Sequence, residues 1–181
     1  MLTIEIPGQE LYDNTTGLFS ALKTETLQLE HSLVSLSKWE SKWCIPFLGK
    51  NQKTDEQIID YIRCMTISQN VKPEVYQRFS GPLYKQIQEY IDAPMTATWF
   101  SDKQGPAGGN GEIVTAELIY YWMVALQIPF ECQKWHLNRL LTLIRVCNIK
   151  NQKPQKPGRR EALSSRAALN AARRAKYNTR G

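Results

Sequence analysis

The residues best suited to chemistry are Cys132 and His136, which stand four positions apart in a segment whose pattern predicts a helix. At that spacing a thiolate and an imidazole on one helical face can reach the same metal ion. Tetrahedral zinc needs two further ligands, and the remaining thiols and imidazole show no paired ligand spacing: Cys44, Cys64, Cys147 and His31. We therefore predict no metal site, and interpret these groups as reduced, mostly buried thiols and a partly exposed imidazole.

Catalysis is not indicated by either of the two histidines, because neither lies in a nucleophile elbow or another recognisable catalytic setting. A cysteine–histidine pair would need a third, orienting group, which the sequence does not nominate. Four carboxylates have the positions of helix starts or solvent-facing residues: Glu56, Glu74, Glu89 and Glu117. We predict that the chain is not an enzyme and uses no cofactor.

A glycine-rich segment at residues 101–111 raises the alternative of phosphate binding. Neither the P-loop pattern nor the dinucleotide-binding pattern of glycines can be written through it. The composition predicts a mobile surface loop instead.

The C-terminal residues 150–181 carry ten Lys or Arg and one acid, Glu161. The rest of the chain has 13 bases and 16 acids, so the tail is +9 and the body −3, which sum to the net +6 of the whole. Arginines spaced among alanines can each donate two parallel hydrogen bonds to a carboxylate or a phosphate. We predict that this arm binds an acidic partner surface, with nucleic acid as a less favoured alternative, through these residues: Arg159, Arg160, Arg166, Arg173, Arg174, Lys176 and Arg180.

Two short segments predict a small N-terminal antiparallel sheet, since residues 3–6 and 26–30 alternate with the period of two of a half-buried strand. Helical periodicity follows. Leu36, Trp39 and Trp43 share one face, while Lys38 and Glu40 point elsewhere. Further helices are predicted after the capping box at residues 54–57, from 73 to 79 and from 81 to 92, and residues 96–100 predict a strand or an extended connector.

The C-terminal half of the body predicts a helical hairpin. Its first helix, capped by Thr115, contains nine consecutive apolar residues, Leu118 to Leu126, and is expected to be buried on all sides. Nine residues are too few to span a membrane, which needs roughly 18. Its second helix is expected from about residue 131 to 148, and most aromatic residues are interpreted as core. The predicted fold is α+β and predominantly helical, with a globular domain at 1–149 and a basic, helical or disordered arm at 150–181.

Several long and unusual stretches resemble a family encoded by long-tailed (siphovirus-type) bacteriophages, the tail assembly chaperones. The resemblance is carried by residues 29–43 (LEHSLVSLSKWESKW), 94–100 (PMTATWF), 115–123 (TAELIYYWM) and 132–147 (CQKWHLNRLLTLIRVC). It extends to residues 168–174 and 179–181, and so spans most of the chain.

This resemblance implies a non-catalytic protein of the host cell cytoplasm. It would bind the aggregation-prone tape-measure protein and tail tube subunits during tail assembly and be absent from the finished particle. A structural component of the virion tail or neck, using the basic arm between subunits, stays open as an alternative. The resemblance supplies no residue-level site.

Overall fold

The structure is a computed structural model that describes residues 1–13, 18–100, 113–151 and 159–177, with side chains for 1–9, 22–100, 113–151 and 163–177. It has the predicted α+β architecture, mainly helical with a small N-terminal sheet. The predicted loop at 101–111 lies outside the described residues. The elements described are β1 (Leu2–Ile6), β2 (Gln9–Asp13), β3 (Leu18–Leu22), β4 (Glu25–Leu29), α1 (Leu33–Trp43), α2 (Asp55–Met65), α3 (Glu74–Gln77), α4 (Gly81–Asp92), α5 (Ala116–Ala125), a 3₁₀ helix (Phe130–Lys134), α6 (Leu137–Asn151) and α7 (Arg159–Tyr177).

The chain divides into two compact units, Met1–Cys147 and Asn148–Gly181. The first holds the strands, α1 to α5, the 3₁₀ helix and most of α6, whereas the second holds the end of α6 and α7. The boundary between them lies two residues before the one expected from composition, at 149/150.

The N-terminal sheet pairs β1 with β4 antiparallel, so that Ile4 lies opposite Leu27. Alternation buries one side chain in two, and Ile4, Ile6, Leu27 and Leu29 are at most 2% exposed. This pairing confirms the predicted sheet. A second antiparallel pair, β2 with β3, forms within the stretch that composition alone describes as turn-rich.

Two apolar cores lie in the first unit, and α1 contributes to both. Leu33 and Leu36 pack into the helix-side core with α5, the 3₁₀ helix and α6, whereas Trp39 packs into the sheet-side core with β1, β4 and α2 to α4. The start of α1 is set by a capping box, in which Ser32 and Ser35 exchange side-chain to backbone hydrogen bonds. A second such box, at Thr54, begins α2 as the sequence predicts.

Residues 96–100 pair with no described strand and form a connector, which is one of the two outcomes that the sequence leaves open. Two expectations are corrected by the structure. The helix α5 is buried on one face only, since Tyr121 is 65% and Val124 61% exposed. The helix expected at 131–148 is broken, because a 3₁₀ helix follows Pro129 and α6 begins only at Leu137. Between the two, His136 forms a β-bridge with Ser32, and the Leu137 backbone amide donates to the His31 carbonyl at 2.7 Å.

Candidate functional site

One cavity among the described residues is partly open to solvent, has a volume of about 1050 Å³, and lies wholly in the first unit. Four segments form its walls: residues 46–51 after α1, residues 94–100 after α4, residues 113–114 with Trp122 of α5, and one face of α6. We call it the Trp99 groove. Its apolar walls include these residues: Leu48, Trp99, Phe100, Trp122, Leu141 and Ile144.

Glu40 holds two walls of the groove in place. Its carboxylate oxygens accept hydrogen bonds from the backbone amides of Phe47 and Ala116, each at 2.7 Å. One bond fixes the turn after α1, and the other fixes the start of α5 beside Val114. Glu40 is only 6% exposed, although the sequence pattern places it off the face shared by Leu36, Trp39 and Trp43. A buried carboxylate is tolerated here because both oxygens have partners.

A second contact, which is partly buried, holds the segment at 94–100. The side-chain amide of Asn138 donates to the carbonyls of Ile91 and Ala93, both at 2.9 Å, and so joins α6 to the end of α4. Met95 then takes a left-handed backbone conformation with φ 50°. The chain thereby turns into the outer wall of the groove, where Trp99 lies 89% exposed.

The chemistry of the groove is apolar with positive charge at its edge. The Arg145 guanidinium lies 4.0 Å from the centre of the Phe100 ring, a cation–π contact, and Lys50 also lines the groove and is exposed. Among its described lining residues there is no histidine, cysteine or carboxylate. The arrangement suits binding of an apolar group flanked by negative charge.

The two histidines lie together in the interior. Their rings are 5.1 Å apart, and the Tyr61 hydroxyl contacts Nδ1 of His31 at 2.6 Å. Burial, reinforced by repulsion from His136, lowers the pKa of His31 to about 4. Burial also lowers the pKa of His136. Its Nε2 donates to the Tyr90 carbonyl, and its Nδ1 accepts from the backbone amide of Asn138. Both rings are therefore neutral at pH 7, and their contacts join α2, through Tyr61, with α4 and α6.

Cys132 and His136 do not share a helix, because Cys132 lies in the 3₁₀ helix and His136 precedes α6. The imidazole of His136 is 6% exposed, so the expectation of a partly exposed ring is wrong. Within the described part of the chain, no three His, Cys, Asp or Glu side chains are grouped to hold a metal ion. The thiols there are free, and Cys44 is exposed, whereas Cys132 is buried.

The predicted partner-binding residues lie mainly on α7. The described side chains of Arg166, Arg173, Arg174 and Lys176 are exposed, as is every described side chain of that helix. Arg159 and Arg160 begin α7, but their side chains are not described, and Arg180 lies outside the described residues. Arg173 lies seven residues, or about two turns, after Arg166, and Arg174 follows it directly. At about 100° per residue, the three side chains lie within the same half of the helix surface.

The groove and Glu40 are not apparent from local sequence patterns, because four separated segments meet there. One signal is present: the adjacent aromatic residues Trp99 and Phe100 follow a proline and lie outside any helical periodicity. Among the described helices, none combines the length and the apolar character required to cross a bilayer. Comparison of the chain with protein-family models, with curated proteins and with solved structures found no match.

Proposed function

We propose that this chain is a non-catalytic tail assembly chaperone of a long-tailed bacteriophage, which binds the tape-measure protein and tail tube subunits in the host cytoplasm. The observation that carries the proposal is the Trp99 groove, whose exposed aromatic and aliphatic walls offer a binding surface. The resemblance of residues 29–43, 94–100, 115–123 and 132–147 to this family supports it independently. Three of those stretches contribute walls of the groove.

The volume of the groove suits about two turns of a client helix, with the apolar face of that helix against the walls. About seven residues of helix, roughly 10.5 Å long and 10–12 Å across, occupy on the order of 1000 Å³. The groove holds about 1050 Å³. An amphipathic helix laid into an apolar groove is a common mode of peptide recognition, with side chains at i, i+3, i+4 and i+7 as anchors. Tape-measure proteins, as long helical chains, present many such faces.

The charge at the groove edge selects among client helices. The exposed Lys50 favours segments in which a carboxylate flanks the apolar stripe. A chaperone of this kind would hold an apolar face away from other copies of the client, and release it when the tail tube assembles around it.

Co-expression with the tape-measure protein of the same phage tests the proposal. The full chain should keep the tape-measure protein soluble and co-purify with it. Trp99→Ala should reduce recovery of the complex at least tenfold, because an exposed aromatic anchor is lost without loss of core packing. Tyr121→Ala is the matched control: this side chain is 65% exposed but does not line the groove. A client that stays insoluble with the intact chain, or equal losses in both variants, would contradict client binding in the groove.

Mass spectrometry of purified particles separates this function from the alternative of a structural virion protein. A chaperone acts during assembly, so we expect no stoichiometric copies in mature particles. Stoichiometric copies in every particle would overturn the chaperone proposal and assign the chain to the tail or neck structure.

A further inference from the structure

The helix α7 offers a second exposed surface. Client binding in the Trp99 groove does not use this surface. Residues 163–177 contain four cations and no carboxylate. Each described side chain of α7 is exposed, including Leu163 and Leu169 at 58% and Tyr177 at 67%. This density of uncompensated positive charge on one helix favours a polyanion as the ligand.

Three of the four cations flank a narrow stripe. Leu163, Asn170 and Tyr177 recur every seven residues, and so follow one line along the helix, with steps of about 10.5 Å. At 100° per residue, Arg166 and Arg173 lie on one side of this line and Arg174 on the other. The opposite face carries Leu169 and Lys176 at its edge next to Arg166 and Arg173, and is otherwise made of small residues: Ser164, Ser165, Ala168, Ala171, Ala172 and Ala175.

This arrangement distinguishes between two classes of acidic ligand. If α7 paired with an acidic client helix as a coiled coil, Leu163, Asn170 and Tyr177 would take the a positions of the heptad. Arg166 and Arg173 would then take the d positions, which coiled coils fill with apolar residues. Burying two guanidiniums in such a seam is costly unless each is fully paired. A coiled coil with a client is therefore disfavoured.

We propose that α7 binds duplex DNA, with its cationic half facing the phosphate backbone. A helix 10–12 Å in diameter fits the major groove of B-form DNA, which is about 12 Å wide. Arg166 and Arg173 then face one phosphate wall and Arg174 the other, and each guanidinium can donate two parallel hydrogen bonds to a phosphate. Asn170 and Tyr177 lie between the walls, and the small residues face away from the groove. The affinity comes from charge and requires no particular base sequence.

Titration of the full chain with a 20-base-pair DNA duplex at several salt concentrations tests this proposal. Fluorescence anisotropy should give an affinity that falls steeply with salt. The triple variant Arg166→Gln/Arg173→Gln/Arg174→Gln should lower the affinity at least tenfold and reduce the slope of log K against log salt by about 3. Glutamine keeps the helix propensity of α7 high, and circular dichroism checks that the helix is retained.

A matched control removes the same charge from exposed positions of the first unit: Lys23→Gln, Lys38→Gln and Lys72→Gln. This variant should keep the wild-type slope. Equal losses in the two triple variants would overturn the proposal, because net charge rather than α7 would then set the affinity. Tighter binding to a polyglutamate peptide of matched charge, or to duplex RNA, would also overturn it. These tests leave the groove intact, so their failure does not bear on client binding.

Discussion

Charged side chains have opposite roles in the two compact units. In Met1–Cys147, Glu40 is 6% exposed and uses its charge to hold Phe47 and Ala116 in place. In α7, Arg166 and Arg173 are exposed, and residues 163–177 contain no carboxylate. Charge therefore shapes the binding surface in the first unit and forms the binding surface in the second. A net-charge count detects only the second role.

Removing the buried carboxylate is the strongest way to break this contrast. Glu40→Ala leaves the Phe47 and Ala116 amides without their charged acceptor, and each such hydrogen bond contributes about 1.5–3 kcal/mol. We expect the free energy of unfolding, measured by urea titration, to fall by about 4 kcal/mol. Glu89→Ala is the control: its side chain is 67% exposed and its 4.0 Å contact with Lys85 should contribute below about 1 kcal/mol. Similar losses in both variants would show that Glu40 is not a structural anchor.

Acid should destabilise the first unit through its histidines. Because the pKa of His31 is lowered from 6.5 to about 4, the unfolded chain binds a proton over a range in which the folded one does not. Stability should therefore fall as the pH drops from about 6.5 to about 4, by roughly 3 kcal/mol for His31, and then level off for this group. The lowered pKa of His136 adds to the loss in the same direction.

Urea titrations at several pH values measure this effect, with His31→Gln as the comparison variant. The variant should show a shallower loss over the same range, whatever its stability at pH 7. The titration of Asp60 affects stability in a different pH range. Its pKa is raised by burial but lowered overall by hydrogen bonds from Lys42 and Trp43, so its contribution is lost only near and below pH 3.8. An unchanged pH profile in His31→Gln would contradict the assignment.

A smaller effect is expected at the start of α1. Ser32→Ala removes the side chain that accepts from the Ser35 amide, and should cost about 1 kcal/mol in the free energy of unfolding. Ser165→Ala, at an exposed position of α7, is the matched substitution in the second unit. It should leave the unfolding transition of the first unit unchanged, and a comparable loss would show that the two units unfold together.

The smallest effect is expected for the apolar residues of α7. Leu169 is 58% exposed, so Leu169→Ala should change the free energy of unfolding by less than about 0.5 kcal/mol. Leu140 is fully buried in the helix-side core, so Leu140→Ala should lower the free energy of unfolding by about 2–5 kcal/mol. Urea titration of both variants checks this, and a large loss for Leu169→Ala would show that α7 has packing partners.

Local signals in the sequence predict what is determined locally. The alternation at residues 3–6 and 26–30 predicts β1 and β4, and the Thr54 capping box predicts the start of α2, because neighbours in the chain decide both. Local signals do not decide the structure where distant segments meet. Glu40 is buried because Phe47 and Ala116 offer it donors. Residues 96–100 have the composition of a strand, but no described strand pairs with them, and they form the connector that the sequence leaves open as the alternative.

The candidate site divides along the same line. The basic arm is predictable because charge is a property of composition, and its arginines are the residues that the sequence nominates. The Trp99 groove is not predictable, because its walls come from segments as far apart as Leu48 and Arg145. The sequence predicts Trp99 and Phe100 only as part of a strand or an extended connector, whereas the fold places the Phe100 ring against Arg145 of α6.

Hydrogen exchange of the full chain, alone and with a soluble fragment of the tape-measure protein, tests the central claim most directly. If the Trp99 groove holds the client, slower exchange should appear at residues 94–100 and in the α6 segment around Leu141, while α7 stays unchanged. Protection confined to α7, or none at either groove wall in a complex that has formed, would contradict the account.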